Sequence, residues 1–264
     1  MLAYEPQIRV GAFLFVLGIV AVWELLFPKR PRIASKSIRW LNNLGLVALN
    51  AAVLRFLFPF LAIGVAIIAE EKGWGLLNQF NCPDALCIIM GVIILDVLIY
   101  GQHVLFHKVS FLWRIHRMHH IDPDLDVTSG ARFHPVEICL SMIIKMGAVI
   151  ILGVQAETVI IFEVLLNVTA MFNHGNIRMP LGGDSAVRNL IVTPDMHRVH
   201  HSVYREETDS NFGFCLSWWD RIFKTYTPQP RDGHEGMTIG TGQFLDARYL
   251  NLHWLIAVPF LKSK

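Results

Sequence analysis

The chain has 264 residues, 53% of them hydrophobic and 17% charged, with a formal net charge of +2. With glycine counted, the apolar share is roughly 60%, against roughly 45–50% in soluble domains that also carry more charge. This excludes a disordered chain, a collagen-like or coiled-coil rod and an ordinary charged soluble domain. So balanced a charge does not suit a nucleic-acid binder, and a mean hydropathy of +0.45 points to a membrane protein.

The first apolar run, residues 10–27, holds only Glu24 near its end and is stopped by Pro28. It reads as a span rather than a signal peptide, because Glu5 and a single Arg9 precede it and no small-x-small cleavage site follows. Lys29, Arg30, Arg32, Lys36 and Arg39 come next with no acid among them, the charge bias of a cytoplasmic flank. The second run, residues 40–69, is interrupted by Arg55 and Pro59 and predicts either one bent span or an interfacial stretch feeding a shorter one. Glu70, Glu71 and Asp84 flank a loop expected on the far side. Residues 85–101 return the chain to the basic side and continue as one helix into His103 and His107.

Residues 138–154 and 158–172 are two shorter apolar runs, holding Lys145 and Glu163 respectively. They predict a helical hairpin that enters from the cytoplasmic side and goes back. Residues 174–264 are more polar, and their terminal apolar stretch is too short to span. The expected fold class is an all-α membrane protein: a transmembrane helical stalk (1–101) and a histidine-rich region (102–264) that includes the hairpin 138–172 and a cytoplasmic helical cap. The N-terminus is expected outside. Cys82, Cys87, Cys139 and Cys215 form no CxxC pair and read as small buried or free thiols.

Twelve histidines stand out, ten of them between His103 and His201. His103 and His107 are four apart, so on a helix they share a face. His116, His119 and His120 follow as HxxHH, whose spacings of three and four predict three imidazoles on one helical face; His197, His200 and His201 repeat the pattern, with His134 and His174 between. Clustered imidazoles at a membrane boundary would repel one another if protonated. A bound cation holds each ring neutral, and this many nitrogens exceed what one ion takes. Two metal ions follow, of a kind that imidazole alone leaves open among iron, zinc, copper and nickel. His234 and His253 read as interfacial or hydrogen-bonded.

The order HxxxH, HxxHH, a single histidine in N-H-x-N, then HxxHH resembles the fatty acid hydroxylase superfamily, with its sterol desaturases and methyl-sterol oxidases. The likeness extends over residues 96–226: Asp96 and Tyr100 resemble its D-x-x-x-Y lead-in, residues 112–137 its second box, and residues 193–226 its last box with N-F-G and W-D-R-x-F. Val104 departs from a common arginine, and Gln102 from a usual aromatic or apolar residue. The resemblance implies a membrane-bound non-haem di-iron oxygenase that hydroxylates or desaturates a C–H bond of a lipid or sterol-like substrate, using O₂ and external electrons. It implies two iron ions held by His103, His107, His116, His119, His120, His134, His174, His197, His200 and His201. Each ligating ring should donate its other N–H to an acceptor; Asp96 is the first candidate for that supporting role, followed by Glu137, Asp195, Asn211 and Asp220. Asp195, behind Pro194, also suits a helix cap. No flavin, dinucleotide or iron–sulfur signature is present, so a separate cytochrome b5- or ferredoxin-type donor is expected. The alternatives are a zinc-dependent membrane lipid hydrolase and a non-catalytic metal-binding membrane protein.

Overall fold

The computed structural model describes residues 1–79 and 83–262. It is all-α, with isolated β-bridges but no strand among the described residues. Helix α1 (Glu5–Leu26) ends just ahead of Pro28. Helix α2 (Lys36–Leu57) starts where the Ser35 side chain accepts the Ile38 N–H, an N-cap that satisfies one otherwise orphaned donor. Pro59 cannot continue that helix, so the second apolar run breaks into α2 and α3 (Ala62–Glu71) rather than forming one bent helix. Helix α4 (Asp84–Lys108) carries His103 and His107 on its last turns, as expected.

Helix α5 (Ser110–His120) follows after a sharp turn at Val109. The hairpin is α6 (Pro135–Leu152) and α7 (Ala156–Asn173), each about 27 Å long at 1.5 Å per residue. Gly153 ends α6 at φ +68°, and a Cβ there would lie 2.6 Å from the Trp74 carbonyl, so both conformation and space favour glycine. Short helices complete the chain: α8 (Leu181–Val187), α9 (Pro194–His200), α10 (Arg205–Thr208), α11 (Trp218–Ile222), α12 (Gly233–Gly236) and α13 (Leu252–Ala257). Five stretches are long and apolar enough to cross a membrane: Leu2–Leu26, Lys36–Glu71, Asp84–Lys108, Pro135–Leu152 and Ala156–Asn173. The hairpin arms, expected to be short, therefore match the thickness of a bilayer core.

Two interior features position the site. Leu95, Ile99, Met142, Val149, Val159 and Phe162 form the main core between α4, α6 and α7. Arg39, in the run expected to flank the membrane, is instead fully buried. Its Nε and Nη2 donate to Asp122 at 2.7 and 2.9 Å, and it also pairs with Asp126. With Asn43 donating to Thr128 Oγ1, it clamps the loop after α5 onto α2. The terminal apolar stretch forms α13 and a short turn, which pack Leu255 and Val258 against Leu46, Met118 and Ile121. Cys139 and Cys215 are free thiols. Cys87 is disulfide-bonded, unlike the thiol expected, and Cys82 lies outside the described residues.

Candidate metal centre

Nine buried histidines converge in two groups at one end of the helices. His103, His107, His116, His120 and His200 form one; His119, His174, His197 and His201 form the other, and within each group the nearest ligand atoms all lie within 4.8 Å of one another. Each HxxHH box serves both groups. The four-apart pair His116/His120 enters the first while His119 turns to the second; the four-apart pair His197/His201 enters the second while His200 turns to the first. Adjacent helical residues point about 100° apart, whereas residues four apart differ by about 40°. The expectation that each box presents one common face is thus corrected.

The hydrogen bonds define most ring tautomers, because a carbonyl can only accept. Nδ1–H of His103 donates to the Phe212 carbonyl (2.8 Å), that of His119 to Arg132 (3.0 Å), that of His174 to Ala170 (2.6 Å) and that of His200 to Ser210 (2.7 Å). His116 Nδ1 donates to Glu137 Oε1 at 2.7 Å. In a neutral ring whose Nδ1–H is held in this way, Nε2 carries a bare lone pair. Yet His103 and His116 Nε2 lie 3.2 Å apart, and those of His119 and His174 lie 3.0 Å apart. His200 Nε2 is buried with no partner.

Facing lone pairs repel unless a cation lies between them, so the arrangement fits two metal ions. Burial drives His174 down to about 4 and His200 to about 3, and holds His119, His120, His197 and His201 well below the usual histidine range, which keeps these rings neutral.

His134 lies in neither group. Its Nδ1 accepts the Val136 N–H at 3.1 Å as the N-cap of α6, and its Nε2 faces the Ile256 carbonyl at 3.2 Å, so both ring nitrogens are already used. His234 stands beside Asp195 and Arg198, and His253 is exposed.

Of the five supporting candidates, Glu137 alone bonds a histidine of either group. Asp96 works one step further out: it accepts from Cys215 N (3.3 Å), Leu216 N (3.1 Å) and Trp219 Nε1 (2.7 Å), anchoring the chain just beyond Phe212. Asp220 accepts from Phe212 N, Gly213 N and Thr225 Oγ1, and burial pushes its carboxyl up to about 6 despite those bonds. Asn211, in the left-handed region at φ 52°, donates to the Met196 and Thr227 carbonyls. Together these residues shape the segment whose Ser210 and Phe212 carbonyls hold His200 and His103. Asp195 takes Lys29 at 2.8 Å and Arg198; burial would raise its carboxyl, but these cations outweigh it and hold it at about 2. The cap of α9 is Thr193, whose hydroxyl accepts the Met196 N–H.

Sequence reasoning missed the backbone carbonyls, which no residue type announces, and Phe133, which stacks on His119 with ring centroids 4.7 Å apart. It also missed Asn50, although a polar residue within a bilayer-length run was a usable signal. A cavity of about 490 Å³ runs from His103, His116 and Glu137 between the long helices to Arg9, Lys145 and Glu163. Most of its wall is apolar, including Val47, Leu54, Ile99, Met142 and Leu166. At its far end Glu163 is ion-paired with both Lys145 and Arg9.

The chain is 25% identical over 228 residues to an ornithine lipid hydroxylase of Rhizobium tropici, covering 83% of this chain and 67% of that protein. It is 24% identical over 204 residues to an alkylglycerol monooxygenase of Homo sapiens (74% of this chain) and 26% over 213 residues to one of Xenopus tropicalis (74% of this chain). It spans less than half the length of either alkylglycerol monooxygenase, 43% in each case. No solved structure matches the chain. The family model described as fatty acid hydroxylase matches residues 88–225, just over half the chain and the segment that holds all nine clustered histidines. This chain belongs to the fatty acid hydroxylase family.

Proposed function

We propose that the chain is a membrane-bound non-haem di-iron oxygenase that hydroxylates or desaturates a C–H bond of a lipid, using O₂ and electrons from a separate donor protein. One observation carries this reading: two groups of buried imidazoles adjoin a largely apolar cavity set among bilayer-length helices. Membership of the family and the lipid hydroxylase and monooxygenase names of the relatives support it. One iron would be held by His103, His107, His116, His120 and His200, the other by His119, His174, His197 and His201. Bound iron supplies the redox chemistry with O₂ that side chains alone lack.

The chain's own residues supply position and environment. The carbonyls of Phe212, Arg132, Ala170 and Ser210 hold the Nδ1 protons and so aim each Nε2 inward, and Glu137 does the same for His116. His103 and His116 are the clustered histidines that line the cavity, so an alkyl segment lying there meets the five-histidine group first.

The histidine end is read as cytoplasmic. Arg32 and Lys36 remain in the basic segment beside it, and the Cys87 disulfide sits at the opposite end of α4, where an oxidising compartment would preserve it. The N-terminus is then outside, and residues 102–264 form the catalytic region.

The test is metal analysis of the purified protein together with reductant- and O₂-dependent turnover of membrane lipids, followed by mass. Bound iron and the gain of one oxygen atom, or the loss of two hydrogens, are expected. A centre that takes only zinc, consumes no O₂ and cleaves lipid esters would overturn the reading in favour of a hydrolase.

A further inference from the structure

The cavity wall beside the five-histidine group holds an unusual concentration of unused acceptors. Asn50 on α2 is 7% exposed; its Nδ2 donates to the Phe133 carbonyl at 2.9 Å, which fixes the amide orientation, and its Oδ1 has no hydrogen-bond partner. Glu137 on α6 is 4% exposed; Oε1 takes His116 and Oε2 has no partner. Gln102 on α4 donates to Ser141 Oγ at 2.6 Å and leaves Oε1 unpartnered. All three side chains line the same cavity. Buried acceptors without donors are costly, and a plain hydrocarbon chain offers no donor.

We propose that this cavity selects a lipid bearing a neutral O–H or N–H donor close to the carbon presented to His103 and His116, with Asn50 Oδ1 as its acceptor. The inference rests on the oxygenase reading and names its substrate class. A neutral donor is favoured over an ammonium, because Arg9 and Lys145 in the lining are already matched by Glu137 and Glu163 and a metal-loaded histidine group would repel a further cation. Asn50 holds the backbone carbonyl of Phe133, whose ring stacks on His116 of the five-histidine group as well as on His119, so a donor held there lies alongside the metal end rather than at the ion-paired end. Lys145 is eight residues beyond Glu137 on α6, about 12 Å along the axis, far enough for an extended alkyl segment to lie between.

The experiment compares matched lipids on the metal-loaded, full-length protein in nanodiscs, reading both equilibrium binding and conversion. One pair is a long-chain secondary amide and the ester of the same length; the other is a long-chain alcohol and its methyl ether. Donor-bearing members are expected to bind about tenfold more tightly than their partners, and the pair showing the larger preference identifies the donor as N–H or O–H. Asn50→Leu should bring the preference within about twofold by weakening only the donor-bearing lipids. Asn50→Asp keeps an acceptor while losing the bond to Phe133, and should retain the preference. Equal binding and conversion of both members by the wild-type protein would overturn the inference and leave the oxygenase reading standing. So would a preference that survives Asn50→Leu. Failure of every lipid to bind or react would overturn both. The wild-type comparison decides the matter even where a variant does not fold.

Discussion

Glu137, in the first turn of α6, accepts the Nδ1 proton of His116 at 2.7 Å, and both side chains are buried. The bond ties the membrane hairpin to the metal centre: the carboxylate that begins one arm orients a ring of the five-histidine group. Acceptors of this kind fix the tautomer of a ligating histidine and raise its basicity.

Replacing Glu137 by Gln should therefore loosen metal at the five-histidine group more than at the other. We expect a loss of metal affinity of about 10–100-fold there, measured by competition with a graded series of chelators. Unchanged retention would mean that the bond orients nothing that the metal needs.

The exchange of histidines between boxes makes a second prediction. His119 and His200 come from different boxes and enter opposite groups. His119→Ala and His200→Ala should each lower bound metal by about one equivalent while retaining the other ion, as read by elemental analysis. If either variant lost nothing, its histidine would not be a ligand.

Acid should weaken the metal-free protein. His174 and His200, held at about 4 and about 3 by burial, bind a proton in the unfolded chain near pH 6.5. Their pKa values are lower in the folded state, so the unfolded state takes up protons first as pH falls. The stability they contribute is complete above about pH 6.5 and declines from there toward pH 4 and below. Thermal melts of the metal-free protein across that range should show a falling midpoint. A midpoint independent of pH between 7 and 5, roughly the upper part of that window, would contradict the assignment.

Lys145 and Glu163 pair across the hairpin, one from each arm. Glu163 also pairs with Arg9, so Glu163→Met, which strands Lys145 and leaves Arg9 only Glu5, should cost about 3–5 kcal/mol, whereas Lys145→Met leaves Glu163 its Arg9 partner and should cost less, and the double Met variant should cost less than the sum of the two. Denaturation of the three variants in the same detergent checks this. Additive losses in the double variant would show that the two side chains act independently.

Much of this architecture was legible because its signals are local. Apolar run length indicated the spans, Pro59 marked the break that separates α2 from α3, and the histidine boxes showed where the metal-binding chemistry lies. Each depends on residues within a turn or two of one another. Arg39 illustrates the opposite case: as the last of five basic residues within residues 29–39 it read as membrane flank, yet its partners are Asp122 and Asp126, more than eighty positions away. Asp96 likewise looked like a direct support for a histidine because seven residues place it on the face of His103. Instead it holds Cys215, Leu216 and Trp219.

By itself the sequence determined that this is a helical membrane protein with enough neutral nitrogen donors for two metal ions, because apolar length and residue spacing are properties of a single helix. Only the tertiary structure decided which histidine serves which group. Within HxxHH the last two rings diverge by about 100°, and the partner each meets is set by how α4, α5, α7 and α9 pack together. The same packing used both nitrogens of His134 elsewhere and brought Asn50, Gln102 and Glu137 from three helices to one cavity wall. Neither outcome is written in the spacing along any one helix.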